Sequence, residues 1–277
     1  MTGRFTNRTV LVTGATGIAG ATARRLAAEG ATVFVATRTA AHGEDLVAEI
    51  RSGGGGAATI ALDLALGDSA QRAVDACMEA FGRIDGVFNV AGGSGRRFGD
   101  GPAHEVDSDA WDATLELNGR STFLVCGAAI RVMLAQEPGR DGCRGTILNM
   151  SSVLARHPSD FFATHAYAAS KGAVESFSRA MAARYARDRI RVNVIAPALT
   201  RTPMAQRAAE DERTAAYASW KQPLAGGLME AEDVAAAAAF LLSDDASRIT
   251  GQTLTVDAGF GLMDAPPGGP AEAFAAR

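Results

Sequence analysis

Lysine and cysteine are scarce in this chain of 277 residues, and aromatic residues make up only 6% of it. The three cysteines, Cys77, Cys126 and Cys143, are too scattered for a CxxC metal site and too few for a disulfide framework. Cys77 and Cys126 fall in apolar helical stretches and read as core; Cys143, in the polar stretch 139–145, reads as an exposed thiol. Long apolar runs are missing too. The longest, such as 234–242, fall well short of the roughly 18 residues of a membrane-spanning helix. No apolar run of signal-peptide length follows the first arginines, so a soluble chain in a reducing, cytoplasmic compartment is expected. The histidines, His42, His104, His157 and His165, show no ligand spacing, and no catalytic metal is expected. Positive charge is not in surplus either. Lysine and arginine number 27 against 31 acidic residues, a net charge of -4, which argues against a nucleic-acid or polybasic membrane partner.

Hydrophobic residues make up 47% and charged residues 21%, enough to bury a sizeable core. Short apolar runs at 9–13, 32–36, 57–62, 86–90, 146–150, 191–196 and 253–256 read as strands. Amphipathic stretches at 21–29, 68–81, 111–134, 166–186 and 231–243 lie between them. Strands apolar on both faces and separated by helices predict right-handed βαβ units, hence a doubly wound parallel sheet in a three-layer α/β/α domain. No repeat or charge block splits the chain. One Rossmann-type domain over 1–262 is expected, with a lid at about 204–229 and a Pro/Gly-rich tail over 263–277.

Two segments carry chemistry. The run from Val10 to Gly20 is a strand feeding a loop with Gly14, Gly17 and Gly20, which opens a helix. Glycines there allow the backbone to approach a pyrophosphate held at the helix N-terminus. An acidic residue just past the second strand would bind the ribose hydroxyls of NAD; this chain has Thr37 and Arg38, with no carboxylate until Glu44. Arg38 suits a 2′-phosphate through forked, charge-assisted hydrogen bonds, the alternative being a solvated surface arginine. Tyr167 and Lys171 stand at i and i+4, about 6 Å apart along a helix, where the cation favours phenolate and makes the tyrosine an acid/base. Tyr217 and Lys221 repeat that spacing, so spacing alone does not choose. Context favours Tyr167, because Ser151 and Ser152 emerge upstream of it at the end of a buried strand. Tyr217, Trp220 and Lys221 read as lid or packing residues.

Together these segments resemble a short-chain dehydrogenase/reductase of the small, single-domain type, from about Thr9 to Leu262. Further matches are Asp63, the run Asn89-Val-Ala-Gly92, Asn118, Pro197 through Thr202 to Met204, and Thr250 through Asp257. The resemblance implies that Tyr167 is the general acid for carbonyl reduction, or the base for alcohol oxidation. Lys171 would hold the nicotinamide ribose and lower the tyrosine pKa. Ser152 would bond the substrate oxygen, and Asn118 would place a water linking Lys171 to solvent. Asp63 would cap the adenine, Asn89 and Gly92 would line the cofactor, and Thr202 with the Ile195 backbone would orient the carboxamide. The implied cofactor contacts also include Gly14, Thr16, Gly17, Ile18, Arg38, Leu64, Ala91, Pro197 and Met204. Four departures stand out: the tighter GxxGxxG loop, Ala198 and Ala258 in place of glycines, and a Ser152–Tyr167 gap about two residues longer than usual.

The expected activity is NADP(H)-dependent interconversion of a ketone and a secondary alcohol. Its rivals are an NAD-dependent alcohol dehydrogenase and a catalytically silent dinucleotide-binding protein. At the substrate end, Arg96 and Arg97 suit a carboxylate or phosphate, and Phe161 and Phe162 suit a ring or acyl chain, unless all four are solvated or packed. Arg187, Arg189 and Arg191 are the basic residues that an acyl-carrier-protein substrate would need, unless they are ordinary surface. The stretches 111–134 and 166–186 are apolar on more than one face, which predicts a homo-oligomer; the family resemblance implies a tetramer, with a dimer as the alternative.

Overall fold

The strands form where β-branched and apolar residues run together, and all seven join one sheet. The computed structural model describes residues 3–205 and 210–264. The strands are β1 (Thr9–Thr13), β2 (Thr32–Thr37), β3 (Ala57–Ala61), β4 (Gly86–Asn89), β5 (Gly145–Met150), β6 (Ile190–Pro197) and β7 (Thr253–Val256). Every pairing is parallel, in the order β3-β2-β1-β4-β5-β6-β7. The order reverses between β1 and β4, where an open α/β sheet leaves a crevice at the carboxyl ends of its strands.

Between the strands run α1 (Gly17–Ala28), α2 (Ala40–Ser52), α3 (Ser69–Phe81), α4 (Ser108–Leu115), α5 (Ser121–Ala135), α6 (His165–Tyr185), α7 (Glu212–Lys221) and α8 (Ala231–Leu242). Alternate strand residues supply the two faces of the sheet. Val10, Val12, Val33 and Val35 pack with α1, α2 and α8, while Leu11 and Phe34 pack with α3, α5 and α6. Burying each such side chain contributes roughly 1.5–3 kcal/mol, and the polar residues of β1 and β2 are threonines at the strand ends, Thr9 and Thr13, Thr32 and Thr37. The layered, doubly wound fold is thus as expected. Among the described residues, no helix is long and apolar enough to cross a membrane.

Three local expectations change, and two alanines have unusual backbone. The single helix anticipated over 111–134 is broken by one π-helical turn at Glu116–Arg120, which contains Gly119 and the fully buried Asn118. The Asn118 side chain bonds the Thr114 carbonyl at 3.0 Å, and the extra residue in that turn aims the amide at a loop outside the helix. Cys143 is buried rather than exposed, because its loop folds back on Asp141, whose Oδ1 accepts the Cys143 N–H at 3.0 Å. Burial pushes its thiol pKa up, so it is not a reactive thiolate. Arg191 is also buried; it donates to the carbonyls of Leu241 at 2.9 Å and Ser243 at 3.1 Å and is no part of a basic surface. Finally, Ala258 and Ala163 adopt left-handed backbone, at φ +49° and +43°. The first is where the resemblance anticipates a glycine, and the second lies in the lengthened gap before Tyr167. The Pro-rich tail anticipated over 263–277 lies outside the described residues from position 265 onward.

Candidate active site

The two tyrosine–lysine pairs have different surroundings. Lys171, 3% exposed, donates from Nζ to the Met150 carbonyl at the end of β5 at 3.0 Å, with Nζ 5.6 Å from the centre of the Tyr167 ring. Ser152 lies two residues beyond β5, and its Oγ accepts the Leu154 N–H at 3.2 Å, leaving its O–H to donate. The Ser152 hydroxyl also meets the Tyr167 phenol. The sheet therefore brings Ser152, Tyr167 and Lys171 together at the carboxyl end of β5. Tyr217 is 2% exposed instead, stacked on Phe161 with ring centres 4.2 Å apart and bonded to the Ser159 hydroxyl at 2.7 Å. Lys221 lies over the Phe260 ring at 4.8 Å and bonds the Met263 carbonyl. That pair knits α7 to the loop after β5 and to the segment after β7.

Burial sets the protonation states. It pushes the Tyr167 phenol up, and the Ser152 hydroxyl only partly offsets this. It also pulls the Lys171 ammonium down to about 8. The tyrosine direction is opposite to that expected from the lysine cation alone, because loss of solvent around the phenol outweighs its polar neighbours. At neutral pH the phenol therefore keeps its proton. No carboxylate pairs with Lys171 among the described residues.

The dinucleotide crevice is assembled from three loops. Gly17 has φ +54°, and a Cβ there would come within 2.9 Å of Thr202 Cγ2, so the loops after β1 and β6 touch across it. Thr16, at the N-cap of α1, makes no side-chain cap, so the first-turn N–H groups have no side-chain partner there. Thr13 Oγ1 accepts the Val90 and Ala91 N–H groups at 2.9 and 3.0 Å and ties the loop after β4 to β1. A Cβ on Gly92 would lie 2.5 Å from Asn118 Oδ1. The same Oδ1 accepts the Gly93 N–H at 3.0 Å, and Asn118 Nδ2 donates to the Gly93 carbonyl at 3.0 Å. The Asn118 amide thus holds this loop through its oxygen and one N–H, and spends the other N–H on the Thr114 carbonyl.

The remaining expected contacts divide. Arg38 is exposed just beyond β2 and makes no ion pair among the described residues. Asp63 Oδ1 caps the Ala65 N–H at 3.0 Å from the loop after β3. Pro197 ends β6, and Ile18 lies in the first turn of α1. Leu64 points into the core, and Asn89 is turned into the sheet, where its Nδ2 bonds Asn149 Oδ1 at 2.8 Å. The side chain of Met204 lies outside the described residues. Arg96 donates to the Phe162 carbonyl at 2.8 Å, and Phe162 meets the Tyr217 ring edge-on. Sequence reasoning missed three residues that hold this site. Thr13 looks like any strand residue, while Asp100 and Glu175 act on partners distant in sequence.

A dinucleotide fits what is present. A Cβ at Gly17 or Gly20 would come within 2.9 or 2.7 Å of its neighbours, a helix N-terminus stands behind the loop after β1, Lys171 uses one N–H donor, and a guanidinium with no ion pair among the described residues stands beyond β2. A fold and site of this kind define a short-chain dehydrogenase/reductase, and the chain belongs to that family. A family model described as enoyl-(acyl carrier protein) reductase matches residues 12–261. The chain is 37% identical to the A-factor type gamma-butyrolactone 1'-reductase of Streptomyces virginiae, covering 94% of this chain and 98% of that one. It is 36% identical to the cyclopentanol dehydrogenase of Comamonas sp., over 93% and 98% of the two chains. A solved short-chain type dehydrogenase/reductase from Mycobacterium ulcerans superposes with a TM-score of 0.86 at 34% identity, over 98% and 94%. The protein is an NAD(P)-dependent oxidoreductase of the alcohol/ketone type.

Proposed function

We propose that this chain is an NADP(H)-dependent oxidoreductase that interconverts a ketone and a secondary alcohol, with Tyr167 as the acid/base. The observation that carries the reading is the meeting of Ser152, Tyr167 and Lys171 at the carboxyl end of β5. A bound nicotinamide supplies the hydride in reduction and receives it in oxidation. In reduction, the Ser152 O–H donates to the substrate carbonyl oxygen, and Tyr167 delivers its proton to that oxygen as the alcohol forms. The upward shift of the phenol keeps that proton in place at neutral pH. The two remaining Lys171 N–H donors are available to ribose hydroxyls, and the Asn118 clamp keeps the loop beneath them narrow. Oxidation runs the same proton transfer in reverse. Leu64 and Asn89 contribute through backbone and sheet stability, their side chains being turned inward.

Arg38 supports the choice of NADP(H), because a guanidinium with no ion pair at that strand end matches a 2′-phosphate. Titration of the purified chain with NADPH and NADH tests this. NADPH should bind tighter by at least about tenfold, or about 1.4 kcal/mol, and Arg38→Ala should abolish the preference. Equal affinities, or a preference that survives Arg38→Ala, would move the reading to an NAD-dependent alcohol dehydrogenase. The name of the Comamonas relative, a cyclopentanol dehydrogenase, points to small cyclic ketones and alcohols as the first substrates to try. A second copy of this chain is the proposed occupant of the α5–α6 face, where Phe123 is 54% exposed.

A further inference from the structure

Helix α6 starts at His165, and its first turn presents backbone N–H groups with no acceptor inside the helix. Thr164, at the N-cap, makes no side-chain bond to them. Their acceptors come from 66 residues upstream. Asp100 Oδ1 accepts the Ala166 N–H and Oδ2 accepts the Tyr167 N–H, both at 2.9 Å. Beside them the Gly101 carbonyl accepts the His165 N–H at 3.3 Å, and His165 Nδ1 accepts the Ala103 N–H at 3.0 Å. Asp100 is 7% exposed, so little water is at hand to replace its carboxylate.

The Asp100 carboxylate sits on the loop that leaves β4, whose near end is clamped by Asn118 at Gly93. The Asp100 N–H donates to the Gly95 carbonyl at 3.1 Å, and a Cβ on Gly95 would lie 2.7 Å from Asp100 Cβ. The loop thus has little freedom at either end. It joins the cofactor crevice to the very residue read as the proton donor.

We propose that Asp100 is a positioning residue for that reaction: by accepting the Tyr167 N–H it fixes the first turn of α6, so that the loop after β4 and the Tyr167 phenol hold one geometry. This rests on the reading of Tyr167 as the acid/base. The leverage is considerable, since a displacement of about 1 Å at a reacting group lowers rates by about 10²-fold.

The chain has three tyrosines, so carbon-13 labelling at tyrosine Cζ gives three signals to follow with pH, and Tyr167→Phe assigns one of them. The phenol faces Ser152 from the loop after β5 and Lys171 from its own helix. In Asp100→Ala the Tyr167 midpoint should fall toward that of an exposed tyrosine as the phenol gains solvent, with that of Tyr217, bonded to Ser159, unmoved. Turnover should fall at least about tenfold with NADPH affinity unchanged. Asp100→Asn, which keeps one acceptor, should fall between and carries the test if the alanine variant does not fold. A plain helix cap predicts something else: a lower melting temperature, with the Tyr167 titration and the turnover of folded protein as in the wild type. That result would overturn the proposal. The resonance reports on Asp100 whether or not the chain reduces a ketone, whereas full turnover in Tyr167→Phe would remove the acid/base reading itself.

Discussion

Lys171 is a cation held in the interior with a backbone carbonyl as its one protein acceptor among the described residues. Burial lowers its pKa from 10.5 to about 8, so the unfolded chain binds its proton more tightly than the native one. Above pH 10.5 neither state is charged and nothing is lost. As the pH falls from there toward 8, the unfolded chain gains its proton first and native stability drops; below 8 the penalty is constant. Lys171→Met should therefore stabilise the cofactor-free protein near neutral pH, by on the order of 3 kcal/mol, and flatten its melting temperature between pH 8 and 10.5, while turnover collapses. Calorimetric melts across that range check it; a destabilised variant would show that the lysine is not held against its charge. A function-bearing residue that weakens the fold is a familiar trade. Tyr167 and Lys171 were legible in sequence because a helix places i and i+4 on one face. Asp100 was not, because nothing local marks a carboxylate that caps a helix 66 residues away.

At the scale of elements, α4, the π turn and α5 were legible as apolar helical sequence but not as three pieces. The break depends on Asn118 reaching both the Thr114 and Gly93 carbonyls, and Gly93 arrives from a different strand end. The loop between Ser152 and Tyr167 was recognised as long but not as tethered. Glu175 on α6 accepts from Ser151 Oγ at 2.9 Å and from Arg156 Nε at 2.6 Å, and so binds the start of that loop to the helix. Helices α4, α5 and α6 also leave apolar side chains uncovered. Phe123 meets Phe177 with ring centres 5.5 Å apart while remaining 54% exposed, and Trp111 and Leu134 are each 40% exposed. If a second copy covers this face, the purified chain sediments at a multiple of 28.5 kDa, and Phe123→Glu shifts it toward monomer by placing a charge in a dry interface. A wild-type monomer at working concentration would contradict that arrangement.

For the whole molecule, alternation of buried strands with amphipathic helices was enough to give the parallel, doubly wound sheet, because both faces must be apolar and each crossover needs a helix. What pattern alone left open was the choice between two equally spaced tyrosine–lysine pairs. The sheet resolves their surroundings: one pair stands at the end of β5, and the other packs among Phe161, Phe162 and Phe260. The most direct measurement of the central claim is NADPH consumption with a panel of small cyclic ketones, by the wild type and by Tyr167→Phe, with NADPH affinity measured on both. The wild type should turn over at least one ketone, and the variant should bind NADPH equally well while losing about 10²–10⁴-fold in turnover, the range ascribed to a general acid. Undiminished turnover in Tyr167→Phe would contradict it.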